Sequence, residues 1–145
     1  MPETDAASSV RVVLAIYDAF GRGDVPAMLS HLDPEVEWRL AEGHPYSPAG
    51  ESWVGHAAVV ENFLARAAAD WDDFRVAVRR LYDAGDAVVA EVRYAGTFTP
   101  TGRTLDAQGC HVWRMHAGRV LAFQQYVDTS RLRAVVADGR PDVDP

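Results

Sequence analysis

The chain has 145 residues, 48% hydrophobic and 24% charged, with a net charge of −7. That suffices for one domain with its own core, and the scattered cations and acidic balance exclude a nucleic-acid surface. All 14 basic residues are arginine, a bias that high-GC coding produces and that is not read as an anion site.

A single cysteine, Cys110, rules out an internal disulfide, and no apolar run reaches the length of a membrane span. The opening "MPETDAASS" lacks a signal-peptide pattern, so the expectation is a soluble, cytoplasmic protein.

In chain order, Ser8 or Ser9 is placed to cap a first helix. Its Val10, Val13, Leu14 and Tyr17 recur at helical spacing, widened by Val12, Ile16 and Phe20. "GRGD" breaks it, Pro26 suits the first turn of a short second helix through Leu32, and Asp33-Pro34 stops that one. "EVEWRL" reads as a strand. The loop "AEGHPYSPAGESW" follows, and then a third helix over residues 55–69 with Val60, Phe63, Leu64 and Ala67 on one face.

The pattern then changes to alternation. Four strands are expected over residues 74–82, 87–99, 104–116 and 119–128, separated by "DAGD", "TPTG" and "HAG". "TSRLRAVVA" adds a last helical turn or two. Helices first and antiparallel strands afterwards predict an α+β fold, helices packed on one face of a curved sheet. One domain is expected over residues 8–137, with poorly ordered tails at 1–7 and 138–145.

The hairpin "GCHVWRMHAGRVLAFQQYVDT" poses the functional question. A three-residue "HAG" loop would set Met115 against Arg119, Trp113 against Leu121, His111 against Phe123 and Gly109 against Gln125. These residues, with Val127, would then face the helices; Val112, Arg114, Val120, Ala122, Gln124 and Tyr126 would face outward. A two-residue loop would put His111 opposite Gln124. A histidine and a glutamine on a ring-rich buried face either satisfy one another or serve a small-molecule pocket.

The segments "AEGHPY", "GHAAVVENF", Asp70-Trp71, "YAGTFTPTGR", "HVWRMHAGRV" and "QQYVDT" resemble the SnoaL-like, ketosteroid-isomerase-related branch of the NTF2-like superfamily, over residues 10–132. The resemblance implies a cone: three helices against a strongly bent antiparallel sheet, an apolar pocket between them, and dimers paired through the outer sheet face. It also implies where named chemistries should sit. The steroid isomerase's base falls at Trp38, its tyrosine at Ile16 (Tyr17 is one step off, on another helix face) and its acid at His111. The Asp-Arg-Asp set of limonene epoxide hydrolase falls at Tyr94, Val92 and Gln125. Neither mechanism is expected to survive those replacements.

The remaining polar set is His44, Tyr46, Tyr94, His111, Gln125 and Asp106, with Trp38, Trp53, Trp113 and Phe123 as walls. His111, titrating near neutral pH, is the candidate general acid/base, Gln125 orients a carbonyl or water, and Tyr94 donates a hydrogen bond. No metal-ligand spacing is present, and neither metal nor cofactor is expected. Asp128 reads as a cap for the last helix, and Glu91 with Arg93 as an outward ion pair.

Two functions stay open. One is a cofactor-independent isomerase, cyclase or hydrolase acting on an apolar carbonyl- or epoxide-bearing metabolite through His111. The other is a non-catalytic ligand-binding or dimerising module. A homodimer is expected through Val112, Val120, Ala122 and Tyr126, with a small apolar organic ligand as the other partner and neither nucleic acid nor membrane.

Overall fold

The computed structural model describes residues 2–137, with side chains from Ser9 onward. Helix α1 (Pro2–Arg22) begins well before the expected cap, so Ser9 lies inside it and is buried. It thereby takes in the backbone of most of the stretch read as an N-terminal tail; residues 138–145 lie outside the described residues. Its inward stripe is Val13, Ile16 and Ala19, flanked by Val10, Tyr17 and Phe20; Leu14, expected inside, is 47% exposed.

Helix α2 (Val25–Leu29) starts on Asp24, whose carboxylate accepts from Ala27 N at 3.1 Å, with Pro26 in its first turn. The third helical stretch is continuous: α3 (His56–Val59), a π-helical turn over Val60–Leu64, and α4 (Ala65–Asp70). Inside the π turn, Phe63 and Leu64 both point into the core.

Six strands form one sheet in the order β2-β1-β6-β5-β4-β3, with β1 Leu32–Arg39, β2 Ser52–Val54, β3 Trp71–Asp83, β4 Ala87–Phe98, β5 Arg103–His116 and β6 Arg119–Val127. The short β2 lies within what the sequence reads as a loop, paired antiparallel so that Trp53 sits opposite Trp38. The β1–β6 pair is parallel, a departure from the all-antiparallel expectation. Helix α5 (Thr129–Val136) begins on Asp128, which accepts from Arg131 N at 3.1 Å, as expected.

The β5–β6 hairpin corrects the expected register. Ala117 (φ 51°) and Gly118 (φ 79°) are both left-handed, so the turn has two residues and His116 pairs with Arg119. A bulge follows: Met115 pairs with Val120 and Arg114 with Ala122, leaving Leu121 without a partner. That extra residue sets Trp113 opposite Phe123 and His111 opposite Gln125. Val120 is therefore a core residue and Leu121 is 40% exposed, the reverse of the expectation for both. His111 and Gln125 still share the inner face, because the bulge offsets the shorter turn.

Two apolar clusters fill the cone. One joins α1, β1 and the β5–β6 hairpin around Trp38, Trp113 and Phe123. The other joins α4, β4 and α5 around Trp71, Tyr94 and Leu132.

Candidate active site

The site is built where the clusters meet. Alternation along β4 turns Ala90, Val92 and Tyr94 inward and leaves Glu91 exposed. Gly109 on β5 makes room for the Tyr94 ring, since a Cβ there would lie 2.6 Å from Tyr94 Cε2. On the same face of β5, His111 and Trp113 are 4% and 1% exposed, and Gln125 on β6 is 2% exposed.

These side chains form one hydrogen-bonded chain. Trp113 Nε1–H donates to the Tyr17 oxygen at 2.9 Å, and Tyr17 Oη lies 2.6 Å from His111 Nδ1. His111 Nε2 is hydrogen-bonded to the Tyr94 hydroxyl. Gln125 Nε2–H donates to that same hydroxyl at 2.9 Å. Ala41 N–H donates to Gln125 Oε1 at 3.2 Å, which fixes the orientation of the amide. The sequence-predicted trio of His111, Gln125 and Tyr94 is thus brought together.

Tyr17 is the member that sequence reasoning missed. Its ring stacks beside His111 with centroids 5.8 Å apart. The available signal was a hydroxyl-tipped residue on an otherwise apolar helical stripe.

Burial of His111 without a charged partner lowers its pKa to about 3. The expectation that it titrates near neutral pH is therefore corrected: the imidazole is neutral. Burial likewise raises Tyr17 and Tyr94 above the ordinary phenol value. In the uncharged chain, one imidazole N–H and two phenol O–H groups serve two His–Tyr links. One O–H proton is left over in either tautomer. Trp113 and Gln125 only donate to the phenol oxygens. No other acceptor for that proton is found among the described residues.

The chain borders an inner cavity of about 30 Å³, lined also by Trp38, Phe63, Phe74 and Phe123, with room for about one or two waters. Trp38 stacks on Phe123 with centroids 4.0 Å apart, and its Nε1–H is buried without a partner.

A second cavity of about 20 Å³ shares Phe63, Phe74, Tyr94 and Gln125 with the first and reaches His44, Tyr46, Trp71 and Leu132. Phe74 also borders a wider opening of about 270 Å³ between α1, α2 and α4. It stands at a bulge in β3, where Gly96 lets the strands approach: a Cβ on Gly96 would lie 3.1 Å from Phe74 Cα.

His44 and Tyr46 hold a separate, charged arrangement. His44 Nδ1 accepts from Tyr46 N at 3.0 Å, so the neutral ring carries its proton on Nε2. Tyr46 Oη–H donates to Asp70 Oδ2 at 2.6 Å, and the Arg66 guanidinium lies 4.0 Å above the Tyr46 ring. Burial first, and the Arg66 charge second, lower His44 to about 4. Asp70 as the partner of Tyr46 was not anticipated.

Two predicted residues stand elsewhere. Asp106 projects from the outer face, with Arg93 Nε donating to its Oδ1 at 2.7 Å, so it is not part of the site. The strand's alternation explains this, since its neighbours Leu105 and Ala107 take the inward positions. Arg93 therefore pairs with Asp106 and not, as expected, with Glu91. Trp53 is partly buried against the first cluster and borders neither small cavity. No cluster of three or more His, Cys, Asp or Glu suited to a metal occurs among the described residues, and no helix among them is long and apolar enough to cross a membrane.

The family model for the SnoaL-like domain matches residues 13–123, about three quarters of the chain. The chain belongs to the SnoaL-like family. Among solved structures, an NTF2-like protein from Burkholderia thailandensis is 30% identical, with a TM-score of 0.82 over 88% of this chain and 96% of that one. TerC, co-crystallised with polyporic acid, is 29% identical, with a TM-score of 0.79 over 88% and 97%. A Jannaschia protein described as a SnoaL-like polyketide cyclase shares the fold at 19% identity, with a TM-score of 0.77 over 91% and 94%. No match was found among curated proteins. The SnoaL-like match takes in Tyr17, Tyr94 and His111, whereas Gln125 and α5 lie just past its end.

Proposed function

We propose that this SnoaL-like protein is an enzyme acting on an apolar, carbonyl-bearing metabolite seated between the helices and the sheet. The observation that carries the reading is the leftover O–H of the Tyr17–His111–Tyr94 set beside an aromatic-walled cavity. A ketone oxygen only accepts, so it complements that proton and the unpartnered Trp38 indole N–H. As negative charge develops on that oxygen during proton removal beside the carbonyl, both donors bind it more strongly, which is the condition for catalysis. Isomerisation and cyclisation share this step. The cavity is small, so a guest must displace Phe74 or Phe63, the rings common to both compartments.

The likeness to TerC makes polyporic acid the first probe, followed by aromatic polyketide ketones. His111→Ala and Gln125→Ala should each lower turnover by about a hundredfold or more while weakening binding far less. Turnover surviving both changes would overturn the catalytic reading.

A binding module is the second reading, favoured by the bonding of both His111 ring nitrogens to tyrosine hydroxyls, which leaves neither free to take a proton from a guest directly. It predicts a melting temperature raised by the probe and no turnover. The homodimer is likewise proposed, now through Val112, Ala122 and the exposed Tyr126, with Val120 removed to the core. Sedimentation should give twice 15.9 kDa, and a 15.9 kDa species at micromolar concentration rejects it.

A further inference from the structure

We propose that Tyr17, His111 and Tyr94 form an uncharged proton relay, through which a guest in the inner cavity gives up a proton at one atom and receives one at another. The inference rests on the reading that this cavity takes an organic guest. It deepens that reading from proton removal beside a carbonyl to the route by which the site takes a proton and returns one without becoming charged.

The chain is symmetric in a way that a purely structural network does not require. Each phenol oxygen is held by one outside N–H, Trp113 at Tyr17 and Gln125 at Tyr94, both at 2.9 Å. Each is bonded to a different nitrogen of the same imidazole. Both phenols and the imidazole border the same cavity. The two uncharged arrangements of the chain therefore differ only in which phenol presents its proton to the void.

Passing between them is a balanced step. A guest C–H proton goes to the Tyr17 oxygen, and the proton already on Tyr17 moves to His111 Nδ1. The Nε2 proton moves to Tyr94, and the Tyr94 proton moves to the guest carbonyl oxygen. The C–H electron pair becomes the carbon–carbon π bond of an enol, and the carbonyl π pair forms the new O–H bond. Four bonds to hydrogen break and four form. The protein ends neutral in the other tautomer, and no oxidant, reductant or co-reactant enters. A lone histidine base would have to become an imidazolium among apolar walls, and a tautomer exchange avoids that charge. Returning the proton to a different carbon shifts a double bond, while attack by the enol carbon closes a ring.

The test uses the whole chain with ¹⁵N-labelled histidine. In the wild type, the His111 nitrogen signals should average between protonated and bare positions, the result expected of a relay that visits both tautomers. Tyr17→Phe and Tyr94→Phe should each collapse the average to one tautomer. A single fixed tautomer in the wild type overturns the relay, as does averaging that survives both substitutions.

In deuterated water, 2-tetralone should exchange its enolisable hydrogens about a hundredfold faster with wild type than with either variant, and the double variant should be no slower than the singles. If 2-tetralone leaves the melting temperature unchanged while the tautomers still average, the guest is wrong and the relay is retained. If 2-tetralone binds and the tautomer stays fixed, the cavity takes its guest and the relay is overturned.

Discussion

The two buried histidines of this cone are neutral for related reasons and sit in opposite surroundings. His111 has a phenol at each ring nitrogen and no charge beside it, and burial alone lowers its pKa to about 3. His44 has one nitrogen tied to the backbone of Tyr46, and the Arg66 charge adds to burial in lowering it to about 4. Around His44 the polar groups are charged and lie close to solvent; around His111 they are uncharged and lie at the apex of two aromatic clusters. The inner set can therefore exchange protons only while staying neutral, whereas the outer set can steer or hold a polar end of a guest.

Substitutions separate the two regions. His111→Ala leaves a void and strips two buried phenols of their partner, so urea unfolding should show a loss of about 4 kcal/mol. His44→Ala should cost clearly less, because only the Tyr46 amide loses its acceptor. Equal losses would show that the two sites are energetically alike.

Acid provides the next test. Both folded pKa values lie below the unfolded value of about 6.5, so the unfolded chain binds more protons as pH falls. Stability is full above that value and declines through the window from about 6.5 toward 4 for His44 and 3 for His111. At pH 5 the loss should be about 2 kcal/mol for each histidine, and His111→Gln should remove only its own share. A stability that is flat between pH 7 and 5 would contradict both neutral assignments.

Smaller changes sharpen the contrast. Gly109→Ala should cost about 2 kcal/mol and displace Tyr94 from His111, seen as a change in the His111 ring signals with the His44 signals unmoved. Tyr46→Phe removes the bond to Asp70 and should cost about 1 kcal/mol, leaving the inner set intact. Asp106→Asn, on the outer face, should leave ligand binding unchanged.

The fold is legible because alternation and helical spacing name the core face of most elements, and five strand centres and the first three helices stand where those patterns put them. β2 is hidden because three residues carry no period, and the parallel β1–β6 pair because pairing direction leaves no local trace. In the hairpin, two departures offset each other. The left-handed Ala117 shortens the turn and the Leu121 bulge restores the face, so His111 and Gln125 meet as expected for a reason the pattern does not contain. Helical spacing puts Tyr17 on the apolar stripe of the first helix, and the resemblance, which matches the isomerase's tyrosine to Ile16, sets it aside, although its hydroxyl meets His111. Residue type admits Asp106 to the polar set, whereas strand alternation places it outside.

The measurement that bears most directly on the site is a titration of the labelled protein with polyporic acid, following the Trp38 indole N–H and the His111 ring nitrogens. A guest oxygen received at the inner cavity should shift both signals together, with His44 responding more weakly. Saturable binding that moves outer-face residues such as Gln108 and Tyr126, and leaves Trp38 and His111 unchanged, would contradict the account.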